Sequence, residues 1–145
     1  VVKKRKVYAY IVQEHELVVV EHPDFPEAGI QVPGGTVEEG ENLDTAVLRE
    51  AFEETGLQGL AIAHYLGKHE RDMRDYGKDE YQERHFYHLS CTSVIPQRWQ
   101  HFERYPSEGT EQLIRFELYR IPIGTVPELI ADMGICLDTL RALLR

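Results

Sequence analysis

Between Asn42 and Gly56 the chain encodes both ends of one helix, and nearly everything around that segment reads as strand. Asn42 is an N-cap residue, Asp44 places negative charge where the helix dipole favours it, and Gly56 supplies the left-handed position that commonly ends a helix. The spacing predicts a helix over Leu43–Thr55. Before it, Val7–Val12 and Glu16–Glu21 are rich in Val, Ile and Tyr and flank a short polar turn, so they read as paired strands. Pro23, Pro26 and Gly29 mark a loop leading to the short apolar piece Ile30–Val32, and Pro33-Gly34-Gly35 bends the backbone again. After the helix, Leu60–Gly67, His85–Val94 and Leu113–Ile123 look like strands. A closing helix is predicted over Pro127–Leu144, where Leu129, Ile130, Met133, Leu137, Leu140 and Leu144 recur at helical spacing. Strands on both sides of an internal helix, with a second helix at the end, imply an α/β fold: a mixed sheet between helices. Lys68–Arg84, with alternating charges and Gly77, reads as a long mobile loop of the kind that often recognises ligands.

The 145 residues suit a single domain, 1–145, that buries about 70% of its unfolded surface without disulfides or a structural metal. The longest apolar runs, such as Leu17–Val20, fall far short of the roughly 20 residues that cross a bilayer, so no membrane association and a cytoplasmic location are expected. Cys91 and Cys136 lie in predicted strand and helix and read as small buried thiols. A formal net charge of -9 argues against a nucleic-acid polymer as partner, because such binding relies on clustered Lys and Arg. The one basic run, Lys3, Lys4, Arg5 and Lys6, reads as a solvated chain end, with a lean over a phosphate-bearing small ligand as the alternative.

At about 100° per residue, Leu43, Ala46 and Val47 share a stripe that continues into Glu50, Glu53 and Glu54, while Leu48, Ala51 and Phe52 form a second apolar stripe. Both stripes need cover, which places the glutamates in a cleft. Like charges at i,i+3 and i,i+4 cost a helix about 0.2 to 0.5 kcal/mol each. Partly buried, the triad would bind protons or a divalent cation. Three carboxylates, with no cysteine or histidine nearby, suit a hard ion such as magnesium. A solvated acidic face is the competing reading, weakened by the shared stripe and by Gly35, Gly40 and Glu41 just upstream.

Gly35, Glu41, Arg49, Glu50, Ala51, Glu53, Glu54, Gly56 and Leu57 together resemble the signature of the Nudix hydrolase family, a pattern of fixed spacings running from Gly35 to Leu57. Two departures are Ala51, where the strict pattern has Ile, Leu or Val, and Ile30, where many members carry tryptophan. The resemblance implies an α/β/α sandwich with a mixed sheet. It implies Glu50, Glu53 and Glu54 as ligands of Mg2+, with Mn2+ as a substitute, and the Gly35 carbonyl as an additional oxygen. Arg49 would orient Glu53, and Glu41 would organise the loop and helix. The implied reaction is metal-assisted attack of water on a phosphoanhydride of a nucleoside diphosphate linked to another group: a nucleoside triphosphate, dinucleoside polyphosphate or nucleotide sugar. A non-catalytic nucleotide-binding module is the alternative. The general base is open between Glu53, Glu108 and Glu111, and a homodimer is open as well. Tyr8, Tyr10, Phe25, Tyr76 and Trp99 are candidates for stacking on a base, and His101 for reaching a ligand. His85 and His88, three apart in a strand, point to opposite faces and cannot share a metal.

Overall fold

The computed structural model describes residues 1–104 and 113–145. Seven strands form a mixed sheet: β1 (Val2–Gln13), β2 (Glu16–Glu21), β3 (Gly34–Thr36), β4 (Leu60–Asp72), β5 (Glu80–Cys91), β6 (Arg98–Arg104) and β7 (Leu113–Pro122). Their order is β4-β5-β1-β2-β7-β6, with β3 also paired to β1, and only β1 and β5 run parallel. The β1–β2 hairpin pairs only at its tip, Val12 with Leu17 and Gln13 with Glu16. The two strands then part, and β3 takes the freed edge of β1, placing Gly34 opposite Tyr8 and Gly35 opposite Val7. This fork carries the site.

Helix α1 (Leu43–Thr55) has the predicted bounds, with the Asn42 side chain accepting the Thr45 N–H and Gly56 left-handed at φ 72°. Period-two alternation along β1 divides the core. Val7, Ala9 and Ile11 pack with Ala46, Val47 and Ala51 of α1. Tyr8, Tyr10 and Val12 pack with Leu129, Met133, Leu137 and Leu140 on the other face. A helix-bearing segment thus covers each face of the mixed sheet.

Several expectations need correction. The basic run is not a chain end: β1 begins at Val2 and pairs in register with β5 from Val2–Glu80 onward, so Lys4 reaches Glu80 at 3.0 Å and Lys6 donates to Thr36 Oγ1 at 3.0 Å. Lys68–Arg84 is not a long loop. Its ends are the arms of β4 and β5, and only a short connection with a 3-10 turn, Arg74–Tyr76, joins them. The charges there are met on strands that extend past the core and in the turn between them: Lys68 faces Glu83 across the strands at 4.0 Å, Arg71 pairs with Asp75 and Arg74 with Asp72 locally, and the Tyr81 hydroxyl donates to Glu70 at 2.7 Å.

The closing helix is shorter than its periodicity suggests, with α2 spanning Leu137–Leu143. Ahead of it Ala131 and Asp132 are left-handed at φ 49° and 60°, which stops helical propagation. The Tyr10 hydroxyl donates to the Met133 carbonyl at 2.6 Å and accepts from the Cys136 N–H at 3.2 Å, so tertiary bonds replace helical ones. On α1 the second stripe is only partly covered: Ala51 is buried, whereas Phe52 is 47% exposed. Cys136 is buried and Cys91 only half-buried, and both are free thiols. Strand β6 was not anticipated at all. No helix among the described residues is long and apolar enough to cross a membrane.

Candidate functional site

Glycine at position 35 is required by proximity. A Cβ there would lie 2.2 Å from Cδ and Oε2 of Glu50, so the helix carboxylate rests directly on the backbone of β3. Gly34 is just as tight, since a Cβ would meet the Val7 carbonyl at 2.4 Å, and its N–H donates to Glu54 Oε1 at 2.5 Å. Gly34 thus lets β3 close onto β1, and Gly35 lets α1 settle onto the fork, with Glu50 and Glu54 against the main chain.

Arg49 organises the other carboxylates. Its Nε and Nη2 donate to the two oxygens of Glu41 at 2.7 and 2.9 Å, the bidentate geometry that makes such pairs strong. The Arg49 hydrogen bonds hold the Glu41 carboxyl down to about 2. Nη1 donates to Glu50 at 2.9 Å and Glu53 at 3.2 Å, and Nη2 also reaches the Thr36 carbonyl at 3.2 Å. The expected Arg49–Glu53 contact is therefore present, but it is the longest of the Arg49–carboxylate hydrogen bonds, with Glu38 further off at 3.8 Å. Glu41 in turn accepts the Glu38 N–H at 3.0 Å, tying the loop to the helix.

Strand β6 completes the cluster. Trp99 Nε1 donates to the Thr55 carbonyl and His101 Nε2 to the Glu53 carbonyl, each at 2.9 Å, so both side chains hold carbonyls of the last helical turn. A carbonyl only accepts, which puts the His101 proton on Nε2. Gly56 leaves room for this ring, because a Cβ there would stand 2.9 Å from it. Two residues further along the same face, Glu103 enters the field of Glu50 and Glu53. Burial first, and then those two charges, push the Glu103 carboxyl up to about 7. Burial, with Glu103 and Glu50 adding to it, raises Glu54 to about 8 against the opposing Gly34 hydrogen bond. Glu50 is also raised, chiefly by burial.

Among the described residues no three His, Cys, Asp or Glu side chains form a ready-made metal cage. Instead Glu50 and Glu53 are turned onto Arg49, and Glu54 onto Gly34. The donor set nevertheless fits a hard divalent cation, being all oxygen with no sulfur or imidazole at its centre, and its raised carboxyls are costly to ionise, a cost that such a cation relieves.

A NUDIX domain model matches residues 2–117. The chain belongs to the NUDIX family. No curated protein matches it. Among solved structures it is similar to a MutT NUDIX hydrolase from Burkholderia pseudomallei, at 24% identity over 94% of this chain and 96% of that one, with a TM-score of 0.67. It is also similar to a UDP-X diphosphatase (17% identity, 100% of this chain, 66% of that one, TM-score 0.67). An ADP-ribose pyrophosphatase from Streptococcus suis is a third (17% identity, 95% of this chain, 92% of that one, TM-score 0.59). These likenesses show the NUDIX fold.

Within this NUDIX domain the other sequence candidates separate clearly. Tyr8 and Tyr10 are core residues, 5% and 0% exposed, and are unavailable for stacking on a base. Trp99 is committed to α1. Phe25 and Tyr76 are exposed, at 56% and 46%. His85 and His88 do face apart, His85 bonding Tyr65 and Glu83 while His88 meets His64. Glu108 and Glu111 lie outside the described residues. Glu103 was not singled out as a carboxylate of this cluster; the signal that would have found it is the alternation Trp99, His101, Glu103, which puts all three on one side of a strand.

Proposed function

We propose that residues 1–145 act as a single-domain, divalent-cation-dependent hydrolase. It would use Mg2+, with Mn2+ as a substitute, to cleave a phosphoanhydride bond of a nucleoside diphosphate linked to another moiety. The observation that carries this reading is the buried carboxylate cluster, in which Glu54 and Glu103 are pushed up to about 8 and 7 where a bound cation would reverse the shift. Glu50, Glu53, Glu54 and Glu103 would hold the cation with the Gly35 carbonyl. When bound, the cation supplies charge neutralisation for the phosphates.

The chain's own residues do the rest. Arg49, fixed by Glu41, sets where the carboxyls of Glu50 and Glu53 stand. Glu53, the more exposed of that pair at 39% against 14%, would take a proton from an incoming water, with Glu108 and Glu111 as the alternatives. His101 and Trp99 keep the last turn of α1 from fraying and so preserve this arrangement. The UDP-X diphosphatase and ADP-ribose pyrophosphatase named among the similar structures support a nucleotide substrate of this class.

The test is a panel of nucleoside triphosphates, dinucleoside polyphosphates and nucleotide sugars with Mg2+, reading out phosphate, pyrophosphate and nucleotide products. Glu50→Gln and Glu54→Gln should each stay folded and lose about a thousandfold in rate, or about 4 kcal/mol of transition-state stabilisation. Near wild-type turnover in either variant at saturating Mg2+ would remove the assignment.

A further inference from the structure

On the face of the sheet opposite α1, a cleft of about 380 Å³ lies between β1, β5 and the turn ahead of α2. It is lined by Lys6, Lys78 and Arg84 against a single carboxylate, Glu27, in a chain whose net charge is -9. Arg84 is 2% exposed, and among the described residues no carboxylate lies within ion-pair distance of it. Its Nε donates to Gln82 Oε1 at 2.8 Å, Nη1 to the Ala131 carbonyl, and Nη2 finds only the Met73 sulfur at 3.4 Å. Its nearest relayed carboxylate is Glu80, reached through the Gln82 amide and already engaged by Lys4. A buried guanidinium that spends its donors on a carbonyl, an amide and a thioether keeps a charge that, among the described residues, no carboxylate pairs with directly.

The wall opposite is built under strain. Ala131 and Asp132 hold left-handed conformations that side chains other than glycine resist, and the β4–β5 hairpin clamps them there. The Tyr76 hydroxyl accepts the Ala131 N–H at 3.2 Å, and Arg71 meets Asp132 at 2.9 Å. This cleft adjoins the carboxylate site through Lys6, whose Nζ donates to Thr36, the residue whose carbonyl Arg49 holds. Tyr8 lies between the two regions, with the Arg84 guanidinium 5.1 Å from its ring and Gly34 packed on the same ring.

We propose that the Lys6–Lys78–Arg84 cleft is a phosphate-binding subsite, separate from the carboxylates, that receives a phosphate of the substrate lying beyond the bond that is cleaved. It selects nucleotides whose second moiety carries its own phosphate. The ligand chemistry is a phosphate oxyanion, held by the two lysines over the fixed positive charge of the buried Arg84. This assignment rests on the hydrolase reading for its place in the reaction but not for the binding itself.

The binding test uses pyrophosphate with all divalent metal chelated, so that the acidic cluster repels the anion and only the cleft can hold it. Calorimetry on the full chain should show saturable binding, and pyrophosphate should shift the Arg84 Nε–H resonance. Lys78→Ala, a change at an exposed position, should weaken binding at least threefold, Arg84→Gln at least tenfold, and Lys68→Ala, outside the cleft, not at all. No binding by the wild type, or equal binding by folded Lys78→Ala and Arg84→Gln, overturns the subsite. A second arm compares kcat/KM for substrates with and without a phosphate on the second moiety. Lys78→Ala should lower that ratio at least fivefold, and an unchanged ratio would overturn the substrate assignment, leaving a site for free phosphate. Pyrophosphate binding without hydrolysis of any nucleotide would instead overturn the hydrolase reading and leave the subsite standing.

Discussion

Alanine at position 35 puts the close approach of β3 and α1 to a quantitative test. The new Cβ would stand 2.2 Å from the Glu50 carboxyl, and ordinary contact begins at 3.4 Å, so the carboxyl must retreat by 3.4 − 2.2 = 1.2 Å. Retreat straight away from Arg49 would stretch their 2.9 Å hydrogen bond to 2.9 + 1.2 = 4.1 Å, beyond bonding distance. Gly35 is not left-handed, so alanine adds no backbone strain, and the fold should lose only about 1 to 2 kcal/mol, a few degrees in Tm. Catalysis should suffer more, because a misplacement of about 1 Å in a catalytic constellation costs on the order of 100-fold, or about 2.7 kcal/mol. The assay is kcat/KM on the best nucleotide of the panel across a Mg2+ titration, beside a melting curve. Gly124→Ala is the control, since a Cβ there meets nothing within 4 Å. Activity of Gly35→Ala within threefold of wild type would refute the argument that Glu50 must rest on the β3 backbone.

Arg49→Lys keeps the charge but cannot reproduce contacts to both oxygens of Glu41, to Glu50 and to Glu53. It should reduce kcat at least tenfold with the fold intact, and unchanged kinetics would make the arginine a dispensable surface charge. Stability of the metal-free protein should depend on pH through Glu54, whose carboxyl rises from 4.5 to about 8 on folding. The folded state then holds more protons than the unfolded one between those values, so stability is present below pH 4.5 and falls as pH rises toward 8, by on the order of a few kcal/mol. Melting curves in chelator from pH 5 to 8 should show this decline, Glu54→Gln should flatten it, and a wild-type Tm that climbs over the same range would contradict it. Tyr10→Phe strands the buried Met133 carbonyl and should cost about 1 to 3 kcal/mol, read as a Tm lower by several degrees; an unchanged Tm would show that this hydroxyl is not what holds the approach to α2.

Where chemistry acts within a few residues, the sequence alone was sufficient. Capping by Asn42 and Gly56 set α1 to the residue, and β2 has its predicted bounds because the Val-rich run is bracketed by turn residues. The spacing of Glu50, Glu53 and Glu54 on one stripe with Arg49 beside them follows from helical geometry. Charge alternation misled at Lys68–Arg84, since polar residues in strands that extend past the core resemble loop residues until a partner strand is known. The periodicity over Pro127–Leu144 correctly named buried Leu129, Met133, Leu137 and Leu140 but not the break at Ala131, where Tyr10 and Arg84 on distant strands and Tyr76 in the β4–β5 turn take up the backbone groups.

Only the tertiary structure decided what completes each site. Glu103 joins Glu50 and Glu54 because β6 pairs with β7 and lays Trp99 and His101 against the last turn of α1, a contact between segments almost 50 residues apart. Arg84 faces Lys6 because β1 and β5 run parallel in that register, although the two residues are nearly 80 positions apart. Helix caps, turns and side-chain periods are settled by neighbours along the chain. The partners of a strand, and therefore which charges share a cleft, are settled by which distant faces bury each other best.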